Sequence, residues 1–188
     1  MRTVTSLFDT YEHATQALHA LKDSGITSAD ISFIANSPDD IEEADLIGDS
    51  ATIGAELGAF LGGAGGLLAG LGLVAIPGLG PVIAGGWLLA TAMGLVTGAG
   101  LGAATGGVVG ALTSAGIPES DAHVYAEGIR RGGVLLTVRV HHDQSQKASE
   151  ILRAANGVDI EDRRKIYQGE GWERFEHDAI SKGKPPQA

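Results

Sequence analysis

GAELGAFLGGAGGLLAG at residues 54–70, PGLGP at 77–81 and GLVTGAGLGAATGGVVG at 94–110 decide how this chain is read. The first run carries glycine at every fourth position (Gly54, Gly58, Gly62, Gly66, Gly70), and so does the last (Gly94, Gly98, Gly102, Gly106, Gly110). Spacing of four lines one face of a helix, where missing side chains let another backbone come close. Between the runs, Pro77, Gly78, Gly80 and Pro81 break any helix and read as a hairpin turn. No Asp, Glu, Lys, Arg or His lies between Leu57 and Pro118. Residues 51–115 are therefore expected to form an apolar antiparallel helical hairpin that packs on other helices through its glycines.

Composition narrows the function. The 188 residues carry a net charge of −10, against nucleic acid as a partner, since phosphate binding needs a basic surface. With no cysteine there is no disulfide, thiolate nucleophile or cysteine zinc site. The first residues lack a long apolar core and do not read as a secretory signal.

The flanks read as one small domain. Residues 3–8 are strand-like; Asp9 and Glu12 suggest a capping box for a helix to about Asp23, with Tyr11, Ala14, Leu18 and Leu21 on one face. Gly25 suits its end, and residues 30–35 alternate as a half-buried strand. An acidic linker follows to residue 50. Beyond the hairpin come a helix over 118–131, a strand over 134–141, a helix over 146–155 and a short strand over 158–160. The order implies an α+β fold: a ferredoxin-like α/β sandwich, residues 1–50 and 116–162, interrupted by the hairpin. Residues 163–188 read as a partly disordered tail.

Gly116-Ile117-Pro118, Ala122, Tyr125 and the run Glu127-Gly128-Ile129-Arg130-Arg131-Gly132-Gly133-Val134-Leu135 resemble a signature of bacterial general-stress-protein-like (YflT-type) sequences. The resemblance extends over nearly the whole chain, including Gly171-Trp172-Glu173-Arg174-Phe175 in the tail. It implies a stress-associated, membrane-linked, non-enzymatic protein and supplies no catalytic residues.

Residues 57–76 match the ~20 apolar residues that cross a ~30 Å hydrocarbon core. Their large apolar side chains favour insertion by only about 3 to 5 kcal/mol, and the glycines among them weaken an isolated helix by up to ~1 kcal/mol each. A lone helix of this kind inserts marginally, so association with other helices is the firmer expectation. A sandwich of ~100 residues has little surface to cover two such helices. Trp87, just past the turn, is a candidate far-side anchor. Arg130, Arg131, Arg163, Arg164, Lys165, Trp172 and Phe175 are candidate interface anchors, cations beside aromatics.

Other residues offer little chemistry. His141 and His142, adjacent on a strand, point to opposite faces; His13 and His19 fall on different helix faces, so no metal site is expected. No phosphate-binding or nucleophile-elbow context occurs, and no cofactor is expected. The expected protein is a homo-oligomer with a cytoplasmic head and a membrane-inserted or membrane-attached hairpin. The alternatives are a soluble self-assembling filament or shell using the same hairpin, and a small-ligand-sensing regulator.

Overall fold

The computed structural model describes residues 1–36, 71–76, 78–88 and 107–176. Strands β1 (Arg2–Phe8), β2 (Ile31–Ala35), β3 (Leu71–Ile76), β4 (Gly80–Gly86) and β5 (Val134–Val140) form one sheet in the order β1-β5-β2-β4-β3. All neighbours are antiparallel. The helices are α1 (Tyr11–Asp23), α2 (Gly107–Ser114), α3 (Glu119–Arg130), α4 (Ser145–Ala154) and α5 (Ile160–Gly169). The chain is an α+β protein.

Side-chain alternation on the strands builds two cores. Phe8, Ile31, Phe33, Leu136 and Val138 point to one face, where Leu18 and Leu21 of α1 and Ala148 and Leu152 of α4 cover them. Their neighbours Leu7, Ile34 and Leu135 point to the other, beneath Leu112 of α2 and Ala122, Ala126 and Ile129 of α3. Strand β2 is consequently buried at all five positions rather than half-buried. Helix α1 starts one residue later than the Asp9 capping box implies: the Thr10 side chain accepts from the His13 amide.

The middle of the insertion corrects the expected helical hairpin. Residues 71–76 and 82–86, read as helix, and Gly80 and Pro81, read as turn, are paired strands, with Leu71 opposite Gly85 and Ile76 opposite Gly80. Strand β4 in turn pairs with β2, Ser32 opposite Gly86 and Ala35 opposite Ile83. The turn falls where it is expected. The Leu79 amide donates to the Ile76 carbonyl at 3.0 Å, and Gly78 holds φ +84°, the positive value a Pro-Gly turn needs. Two causes favour the sheet. Glycine weakens a helix, whereas Val74, Ile76, Val82 and Ile83 are β-branched and suit strands. Pairing with β2 also buries Leu79, Val82, Ala84 and Leu88 in the second core. The insertion is thus partly built into the head. The turn itself is buried there, with Leu79 only 3% exposed.

Two further expectations change. Residues 158–160 form no strand: the Val158 amide makes one bond, to the Leu7 carbonyl at 2.8 Å, and the chain then enters α5. The Asp159 carboxylate accepts from the Glu161 and Asp162 amides, an N-cap that ends extension at once. Residues 163–176, read as tail, accordingly belong to the folded domain, and Phe175 is buried in the second core. The rest of the tail, 177–188, lies outside the described residues.

Candidate functional site

Helix α3 ends in the run that stands out in the sequence. Glu127, fully buried, is the counter-ion of both arginines that follow it. Arg130 donates to it through Nε at 2.9 Å and Nη2 at 2.7 Å, and Arg131 through Nε at 2.7 Å. Residues three and four apart share a helix face, so the spacing from 127 to 130 and 131 makes this clasp possible. Gly128 lets β1 in: a Cβ there would lie 2.3 Å from a terminal carbon of Leu7. The Gly133 amide closes the helix on the Gly128 carbonyl at 2.9 Å.

Arg131 ties this end to α5 and the segment after it. It pairs with Glu170, and its guanidinium sits 4.1 Å above the Tyr167 ring. Burial opposes the Arg131 charge, yet hydrogen bonds to Glu127 and Glu170 hold its pKa above the ordinary value. Arg163 reaches Asp9 at 2.7 Å and also approaches Tyr167. Arg164 pairs with Asp121 and with Glu161, and Lys165 pairs with Asp162 at 2.8 Å. Trp172 meets Tyr167 edge to face, centroids 5.7 Å apart.

The candidate interface anchors other than Trp87 therefore fall on α3, α5 and the residues after α5, and each of their cations has a carboxylate of its own chain. Arg131, Arg163 and Arg164 fasten residues 160–176 to the head, whereas Arg130 and Lys165 pair within their own helices. Trp87 is a correction. It lies far from a hairpin tip, at the end of β4, where its Nε1 donates to the Asp30 carbonyl at 3.0 Å and Arg139 stacks 4.5 Å from the ring. Of the ladder residues, only Gly110 is described, within α2; Gly54, Gly58, Gly62, Gly66, Gly70, Gly94, Gly98, Gly102 and Gly106 lie outside the described residues, as does Pro77. Gly78 forms the turn, and Gly80 and Pro81 open β4.

Sequence reasoning missed the buried carboxylate of Glu127 and the whole of α5. Both had a signal. Glu127 stands three and four residues before two arginines, and Asp159 precedes acidic residues followed by Arg163, Arg164 and Lys165 at ion-pair spacing.

Leu71, the first described residue after the first run, lies opposite Gly85 near the end of β4. Comparison with protein-family models, with curated proteins and with solved structures finds no match.

Proposed function

We propose that this is a non-enzymatic, stress-associated protein that self-associates through its two glycine-rich runs while an α+β head holds the ends of those runs together. The observation that carries the reading is the register of β3 and β4. By placing Leu71 beside Gly85, it sets the start of β3, which follows the first run, and the end of β4, which leads toward the second, at one end of the sheet. Runs tethered at a common end would pack on one another, or on those of a second copy, without a long search.

Within this proposal the head is a ferredoxin-like sandwich. The support is its split βαβ, in which β5 lies between β1 and β2, with α1 and α4 on one face. It departs from that pattern where α5 replaces a fourth strand and where β3 and β4 extend the opposite edge.

Attachment to a membrane belongs to the proposal, with a head on the cytoplasmic side. One observation favours the soluble alternative, a filament or shell. Because 71–76 belong to the sheet, the first apolar run shrinks to residues 57–70. As a helix those would reach about 21 Å, short of a ~30 Å core. Among the described residues no helix is long and apolar enough to cross a membrane.

The test is paired. Gly62→Leu and Gly102→Leu should each lower the oligomer mass measured by light scattering while leaving the circular dichroism of the head unchanged. An unchanged mass in both would refute association through the ladders. Flotation with liposomes then separates the two settings: protein that stays at the bottom of the gradient, yet forms particles by electron microscopy, is a soluble assembly.

A further inference from the structure

Among the described residues, strand β1 lies at the edge of the sheet, and its outer side is only partly used. The Leu7 carbonyl accepts from the Val158 amide and the Thr5 carbonyl from the Tyr125 hydroxyl at 3.3 Å, so the odd-numbered positions face outward. In an antiparallel strand a residue's N–H points to the same side as its C=O, and the amides of Thr3 and Thr5 therefore face outward too. Alongside them runs a cleft of about 300 Å³. Val4, Thr5 and Ser6 form its floor; Tyr125 of α3 stands on one side and Leu152 and Arg153 of α4 on the other. Val158–Ile160 close one end.

We propose that this cleft is a docking slot for an extended peptide segment with an acidic side chain, which adds a strand to β1. Val158 already makes the first rung of such a strand before Asp159 turns the chain away. Charge selects the occupant. Arg153 has no hydrogen-bond or ion-pair partner among the described residues, whereas Asp121 is paired with Arg164 and one oxygen of Asp159 is held by two α5 amides. An acidic side chain beside Arg153 gains a partner. The chain's net charge of −10 opposes it only weakly, since more distant charges are screened over ~10 Å at 0.1 M salt. A second copy fits poorly: its own β1 carries the same helical walls, and two recessed edges cannot meet. Main-chain hydrogen bonds would supply affinity and Arg153 the preference.

The slot is lined by residues of the head, and its test reads peptide binding rather than self-association. A fluorescein-labelled peptide of alternating valine and glutamate is titrated with the full chain and followed by anisotropy, against a valine–lysine peptide of equal length. Saturable binding of the glutamate peptide, at least about tenfold tighter than the lysine peptide, is expected. Thr5→Pro removes an outward amide while keeping the β1–β5 rungs, a change edge strands tolerate, and it should weaken binding about tenfold. Arg153→Glu, on an exposed helix position, should remove the preference for glutamate whether or not Thr5→Pro folds. Equal binding of the two peptides, no binding, or a preference that survives Arg153→Glu overturns the proposal. So does a drop in oligomer mass in Thr5→Pro, which would give the edge to a second copy.

Discussion

Among the described residues, Glu127 is the one buried charge. A carboxylate with no exposure, holding two guanidinium groups that are each about one-third exposed, is stable only while all three charges are present. Glu127→Gln should cost about 3 kcal/mol, the lower end for breaking a buried pair because both arginines still reach water. Urea unfolding checks it, and the loss should shrink when Arg130→Met is combined with it. The tyrosines act in the alkaline range. Burial pushes Tyr11, packed edge-on against Phe33, from 10.0 up to about 12. Burial, with the Asp121 charge adding to it, raises Tyr125 further, and burial raises Tyr167 against the pull of Arg163 and Arg131. The unfolded chain loses these protons first, so this part of the stability is complete below pH 10 and falls as pH climbs towards 12. Tyr125→Phe should flatten that fall in urea midpoints measured between those limits.

At the level of elements, the β3–β4 hairpin separates what could be read from what could not. The strands at 2–8, 31–35 and 134–140 and the helices α1, α3 and α4 follow from alternation, amphipathic spacing and glycine stops. The hairpin did not, because the apolar stretch and the ladders on either side extend a helical reading across 71–86, whose strands instead pair with each other and, through β4, with β2. Periodicity along one segment carries no information about the partner strand at Ser32–Ala35. Helix α5 escaped for a different reason: it buries Tyr167 alone and is held by ion pairs, so it lacks an apolar stripe. The anchors were visible as cations beside aromatics, but not the carboxylates that occupy them, since Asp9 and Asp121 are distant in sequence. One substitution separates sheet from helix at Gly86. In the sheet this residue has φ +93° and a Cβ would lie 2.2 Å from the Ile31 carbonyl oxygen. Gly86→Ala should therefore lower the melting temperature by several degrees, on the order of 1–3 kcal/mol of strain. In a helix the same change would raise it, by up to ~1 kcal/mol.

Across the whole molecule, a five-stranded sheet with helices on both faces is assembled from two distant parts of the chain, and the insertion supplies part of one core. Leu79, Val82, Ala84 and Leu88 share that core with Phe175 from the far end of the described chain. Excising residues 51–115 as a cassette would therefore remove β3, β4 and α2 from the sheet and its second core, so these parts of the insertion and the head are one physical unit.

Strand β5 lies between β1 and β2, yet about 100 residues of synthesis separate Ala35 from Val134. At 5–20 residues per second, the ribosome needs roughly 5–20 s to cover that distance. Throughout this interval β1 and β2 lack the strand that joins them, while the glycine-rich runs have already been made. The runs are therefore synthesised and emerge before the head can close.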